Sequence, residues 1–165
     1  MYRIAVLPGD GVGPEIVTQG LRVLEAVSRI DGFEYETTNY PHSGNYYKAT
    51  GVLITPDTID EIGQHDALFN GAFGDPTLTE GLIERNVSLA INFRLNLAVN
   101  VRPGKLYLPT LSPLKDVSDI SIAIVRDTSE DCFVAPGGLV HVDTPDEVAL
   151  GLLVYTRKAV EQTAR

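Results

Sequence analysis

The run Ile4-Ala5-Val6-Leu7 is apolar without interruption, the pattern of a strand buried on both faces, and it stops at Pro8-Gly9-Asp10-Gly11. From Pro14 the period changes. Ile16, Val17, Gly20, Leu21, Leu24 and Val27 recur at helical spacing as far as the Asp31-Gly32 break. Phe33 to Asn39 alternates like a strand, Thr55-Pro56-Asp57 opens a short helix ending near Gln64, and Ala67-Leu68-Phe69 reads as another buried strand. That strand runs into Asn70-Gly71-Ala72-Phe73-Gly74-Asp75-Pro76. Strand and helix alternating in this way predict an α/β fold with a mainly parallel sheet, in which ligands gather at strand ends.

Beyond this point the pattern shifts. A helix is predicted from about Leu82 to Ala98, then extended chain through Val101-Arg102-Pro103 and Lys105 to Leu108, then a strongly apolar strand from Ile120 to Val125. Leu139 to Val142, after Gly137-Gly138, reads as a hairpin or arm strand. Thr144-Pro145-Asp146-Glu147 has the form of a helix start, a capping side chain followed by proline and two acids, and the chain closes on a helix. No repeat or flexible linker interrupts the sequence, so two units are expected to meet tightly near Asn100, the first over 1–99 and the second over 100–165.

Composition narrows the partners. The 165 residues are 44% hydrophobic, and a chain of this size can bury roughly 70% of its unfolded surface, so a core needs no staple. With 22 acidic against 13 basic residues the net charge is -9, which disfavours nucleic acid and anionic membranes as partners. A single cysteine, Cys132, excludes an internal disulfide, and no stretch has the form of a leader or a membrane span, so the expected compartment is the cytoplasm.

Glycines at 9, 11 and 13 between a strand and a helix let backbone approach a ligand closely, but this spacing differs from the usual dinucleotide fingerprint and by itself fits an empty turn equally well. The longer string Val6-Leu7-Pro8-Gly9-Asp10-Gly11-Val12-Gly13-Pro14-Glu15 resembles the opening of the β-decarboxylating dehydrogenases, the family of isopropylmalate, isocitrate and tartrate/D-malate dehydrogenases. Further segments match in order: Gly71-Ala72-Phe73-Gly74-Asp75-Pro76, Asn100-Val101-Arg102-Pro103, Ser112-Pro113-Leu114, Val125-Arg126-Asp127-Thr128, Gly137-Gly138, and Thr144 to Ala149 through Tyr155-Thr156-Arg157-Lys158. The resemblance spans this whole chain but only about half of a family member.

The resemblance implies an isopropylmalate-dehydrogenase-like α/β fold with a strand-rich dimerisation unit, and hence a homodimer. In the family, three arginines and a tyrosine hold and protonate a 2-hydroxy dicarboxylate, later aspartates bind magnesium or manganese beside a lysine, and a late loop binds the adenosine of NAD. Arginine suits carboxylates because its planar fork donates two parallel hydrogen bonds. Arg102 and Arg126 match two of those arginines. The first falls on Asn92, and Arg94, two residues on, is turned about 200° around a helix and does not replace it without a register change. The tyrosine falls on Phe133, and Ser129-Glu130-Asp131 stands where the family is glycine-rich. Gly9, Asp10, Gly11, Gly13, Glu15, Gly71, Phe73 and Gly74 are remnants of the cofactor-side loops. The lysine, the metal-binding aspartates and the adenosine loop have no counterpart, so neither NAD nor magnesium or manganese is expected unless the missing half is supplied.

Catalytic candidates are thin. Cys132 could be a nucleophile, although buried inert thiols are commoner; His141 follows the suspected pocket; Asp127, with Glu130 and Asp131, could act as an acid or simply form a solvated loop. Tyr46 and Tyr47 suit packing or the lip of a cleft. The polar ending Glu161-Gln162-Thr163-Ala164-Arg165 favours a half-size, repurposed homologue over a broken piece. The sequence therefore predicts a protein that binds a small anionic carboxylate and carries out a non-redox step such as decarboxylation, isomerisation or cyclisation. The alternatives are the substrate half of a dehydrogenase completed by another chain, and a non-catalytic assembly subunit.

Overall fold

The structure, a computed structural model, describes residues 1–131, 134 and 136–165. It divides into two compact units, Met1–Leu95 and Asn96–Arg165.

In the first unit β1 (Tyr2–Leu7) is the central strand of a three-stranded parallel sheet, with β2 (Tyr35–Asn39) on one side and β3 (Ala67–Asn70) on the other. Alternation along β1 sends its side chains to two cores. Ile4 and Val6 pack with Val17 of α1 (Gly13–Asp31), flanked by Leu21, Leu24 and Phe69. Ala5 and Leu7 join Tyr40, Ile59, Ile62, Ile83, Val87 and Ile91 on the opposite face. Ile59 and Ile62 come from α3 (Pro56–Ile62), Val87 from a wide π-helical stretch Glu84–Leu89 with Ile83 just before it, and Ile91 from α4 (Ala90–Arg94) continuing it, while Tyr40 follows β2 directly. The helix expected to reach Ala98 stops at Arg94, because Asn96 turns into the left-handed region at φ 53°. A further short helix, α2 (Gly44–Thr50), capped by the Ser43 hydroxyl accepting from Tyr46 N, was not legible as a helix in the apolar pattern.

The second unit pairs β4 (Val99–Lys105) with β5 (Ser121–Asp127) antiparallel, and β6 (Gly137–Val140) with β7 (Val148–Gly151) as a separate hairpin. The chain ends in α5 (Arg157–Ala164), capped by Thr156 accepting from Ala159 N. The helix start expected at Thr144-Pro145-Asp146-Glu147 is overturned. Thr144 N and Oγ1 bond back to His141 O, closing a tight turn, and Val148 onward is drawn into the hairpin by pairing with β6. Among the described residues no helix is long and apolar enough to cross a membrane.

Two apolar strands are less covered than their sequences imply. Ala67-Leu68-Phe69, read as buried, forms β3 at the sheet edge with Ala67 exposed, and Ile122, Ile124 and Val125 of β5 are all about half-exposed.

Candidate functional site

In the first unit the glycine loop after β1 meets the loop after β3, backbone against backbone. Asp10 N donates to Ala72 O at 2.7 Å, and Gly71 N donates to Leu7 O at 2.8 Å. A Cβ on Gly9, which sits at φ 76°, would come within 1.9 Å of Ala72 O, and one on Gly13 within 2.2 Å of Pro8 O. Both distances are sterically impossible, so these glycines are required by loop-on-loop packing. Asp10, only 4% exposed, fastens a third segment: both carboxylate oxygens accept from Gly44 N, at 2.8 and 2.9 Å, and Oδ2 accepts a longer bond of 3.4 Å from Gly74 N. Phe73 packs on the Ala5/Leu7 core, and Glu15 is exposed on the first turn of α1. Beside this knot Lys48 Nζ lies 2.6 Å from Asp75 Oδ2, and Thr77 donates to Asp75 Oδ1 from its amide and hydroxyl. The Lys48 contact first, then Thr77, holds the Asp75 carboxyl down to about 2.

Arg94 is committed elsewhere. Its Nε and Nη2 donate in parallel to the two carboxylate oxygens of Asp60, each at 2.6 Å, and this fork holds the Asp60 carboxyl below its usual range. Asn92 is half-buried on α4.

The second unit brings Arg102 and Arg126 together. Asn100 is opposite Arg126 and Arg102 is opposite Ile124 in the β4–β5 ladder, so Asn100, Arg102 and Arg126 share one face of the ribbon. Arg102 and Arg126 are diagonal neighbours, a relation that places their backbones about 7–8 Å apart. Asn100 Oδ1 accepts from Arg102 Nε at 2.9 Å. The other members of the Val125-Arg126-Asp127-Thr128 segment serve the chain itself. Asp127 Oδ1 accepts from Ser129 N and Oγ, both at 2.7 Å, and buried Thr128 donates its hydroxyl to Leu97 O and Ala98 O at 3.0 and 3.1 Å. Glu130 accepts from Thr156 N and Oγ1, both at 2.6 Å, tying this loop to the start of α5.

Between β5 and α5 lies a cavity of about 510 Å³, lined by Val125, Arg126, Asp127, Asp131, Tyr155, Val160, Thr163 and Ala164. Asp131 Oδ1 and Thr163 Oγ1 are buried there without a hydrogen-bond partner among the described residues. Sequence reading missed Tyr155 and Thr163; their only signal was position, flanking and within a helix returning to β5. His141 is exposed in the β6–β7 turn at φ 54°. Cys132 and Phe133 lie outside the described residues. Among those described, no group of three or more His, Cys, Asp or Glu is arranged to hold a metal ion.

Comparison with known proteins agrees with this layout. The model of the family described as isocitrate/isopropylmalate dehydrogenase matches residues 3–165. The 3-isopropylmalate dehydrogenase of Thermobifida fusca (strain YX) is 39% identical over 165 residues, which are 99% of this chain and 47% of that protein. The Mycobacterium avium (strain 104) enzyme is 41% identical over 147 residues, 89% of this chain and 43% of its own. Among solved structures, isocitrate dehydrogenase from Methylococcus capsulatus superposes with a TM-score of 0.79 at 27% identity, covering 99% of this chain and 45% of that one. A β-decarboxylating dehydrogenase from Thermococcus kodakarensis in its apo form gives a TM-score of 0.68 at 30% identity, with 100% and 44% covered. The chain spans about half the length of the curated relatives it matches. It belongs to the isocitrate/isopropylmalate dehydrogenase family.

Proposed function

We propose that the second unit binds a small hydroxy-carboxylate in the cavity between β5 and α5, and that chemistry performed by this chain on it is non-redox. The observation that carries this reading is the chemistry of the cavity wall. Arg126 is the cation, Thr163 Oγ1 is a hydroxyl with a donor to give, and Asp131 Oδ1 is an acceptor with none to receive. A ligand with a carboxylate for Arg126 and a hydroxyl between Thr163 and Asp131 matches this wall, and its hydroxyl gives the two unpaired oxygens a partner. Leaving a buried polar atom unpaired costs about 1–3 kcal/mol, which a complementary ligand recovers. The volume is within the range of about 300–1,000 Å³ common for small-molecule sites. Arg102, on the same ribbon face, is positioned for a second carboxylate, which makes a dicarboxylate the preferred class.

The non-redox half of the proposal rests on the residues available. Arg94 is held by Asp60, Asn92 stands at the family's first arginine position, and the described residues offer no metal-binding set. The relatives are dehydrogenases by name, and the step that replaces hydride transfer here is decarboxylation, isomerisation or cyclisation of a related acid. The test is a titration comparing 2-hydroxy dicarboxylates with the same acids lacking the hydroxyl, in the native chain and in Thr163→Val. The hydroxylated acids are expected to bind more tightly, with Thr163→Val weakening both. Equal binding of hydroxy and deoxy acids would remove Asp131 from the site.

A further inference from the structure

Among the described residues, the wall of the cavity between β5 and α5 carries one cation and two carboxylates. Arg126 stands against Asp127 and Asp131, so the lining is itself net negative. The cations of α5 do not correct this: Arg157, Lys158 and Arg165 line a different pocket, where both arginines pair with Glu161. A carboxylate arriving for Arg126 adds a further negative charge, and like charges repel more strongly in a cavity sheltered from water than at an open surface. A hydroxyl on the same ligand brings no charge to offset that repulsion. A ligand with its own cation does.

The polar atoms point the same way. Asp131 Oδ1 and Thr163 Oγ1 are buried oxygens without a partner among the described residues, and both are able to accept a hydrogen bond. A hydroxyl has one proton to donate, whereas an ammonium has three and accepts nothing. Asp127 is served within its own loop, its Oδ1 accepting from Ser129 N and Oγ, both at 2.7 Å. Asp131 is held in place from both sides. Its N donates to Val154 O at 3.1 Å, its φ of 61° sets the backbone in the left-handed region, and Glu130 beside it accepts from Thr156 N and Oγ1, both at 2.6 Å. An acceptor anchored in advance loses little conformational freedom when a donor arrives. Val125, Val160 and Ala164 supply an apolar face to the same cavity.

We propose that this cavity binds α-amino acids with an apolar side chain: the carboxylate on Arg126, the ammonium between Asp131 and Thr163, and the side chain against Val125, Val160 and Ala164. The inference rests on the reading that Arg126 receives a carboxylate here, and goes beyond it in the ligand's second group. An amino acid and a hydroxy acid then compete for one cavity, and the amino acid displaces the hydroxy acid.

The test is calorimetric titration of the 165-residue chain with L-phenylalanine and L-norvaline, each beside its 2-hydroxy acid, its deaminated acid and its carboxamide. The amino acids are expected to bind about tenfold or more tightly than either the deaminated acids or the carboxamides, and to displace a bound hydroxy acid. Asp131→Asn keeps an oxygen acceptor and removes the charge; it should weaken the amino acids about tenfold or more while leaving the hydroxy acids within about twofold. An amino acid that binds the native chain no better than its deaminated acid overturns the proposal, and that comparison needs no variant. So does a preference for the amino acid that persists unchanged in a folded Asp131→Asn chain, or amino-acid binding that leaves a bound hydroxy acid in place. Hydroxy acids bound and amino acids not would sink this inference alone. Amino acids bound and hydroxy acids not would sustain it and refute the hydroxy-acid reading.

Discussion

Replacing Asp10 by alanine should unravel the junction of three segments without touching the carboxylate cavity. Its carboxylate is 4% exposed and accepts the Gly44 amide at 2.8 and 2.9 Å, a single strong donor shared by two oxygens, with the 3.4 Å Gly74 contact adding little. A hydrogen bond to a charged group contributes about 1.5–3 kcal/mol, and the alanine variant also leaves the Gly44 amide at the start of α2 without its acceptor. The expected loss is about 2–3 kcal/mol. For a unit of this size each kcal/mol moves Tm by about 4–8 °C, so the first unit should melt roughly 10–20 °C lower. Asp10→Asn keeps a carbonyl oxygen for Gly44 N and should lose about 1 kcal/mol, the difference being the charge. Urea unfolding followed by tyrosine absorbance reports mainly on this unit, because five of the seven tyrosines, Tyr2, Tyr35, Tyr40, Tyr46 and Tyr47, lie in it. A loss below about 0.5 kcal/mol in Asp10→Ala, or equal losses in the two variants, would refute the assignment of this residue as an internal clamp.

Gly13→Ala should be among the most damaging single-methyl changes in the chain, since its Cβ meets backbone at Pro8 O and Ala72 O at 2.2 and 2.9 Å; near-native stability by the same unfolding assay would argue against the loop packing. Arg94→Gln should leave stability nearly unchanged, its pair with Asp60 being exposed, and should leave carboxylate binding unaltered in a calorimetric titration. Asp75 is held at about 2 in the folded unit against 3.8 ordinarily, so its contribution is complete above about pH 4 and is lost as pH falls toward 2; Asp75→Asn should flatten that acid limb in a stability–pH profile.

What the sequence revealed, and what it concealed, follow from how local each feature is. Uninterrupted Ile4–Leu7, the periodic run to Asp31 and the glycine loops carry their structure in adjacent residues, and the family resemblance singled out Arg102 and Arg126, whose shared ribbon face only the β4–β5 pairing shows. The first strand of the β6–β7 hairpin is legible after Gly137-Gly138, but β7 was hidden because Thr144-Pro145-Asp146-Glu147 has every mark of a helix start, while pairing with Gly137–Val140 decides the matter from outside the segment. Asp10 could not be recognised as a clamp, since its partner Gly44 is 34 residues away in a helix that apolar spacing does not announce. Likewise Tyr155 and Thr163 reach the cavity only through the return of α5 to β5, a tertiary fact with no sequence signature.

The most direct measurement is calorimetric titration of 2-hydroxy and 2-keto dicarboxylates into the native chain and into Arg126→Ala, beside Arg102→Ala. The native chain should bind a hydroxylated dicarboxylate, and loss of the Arg126 fork should weaken it by about 1.5–3 kcal/mol, roughly 10- to 150-fold. Arg102→Ala should cost less with monocarboxylates than with dicarboxylates. Affinity that survives Arg126→Ala unchanged would contradict the site.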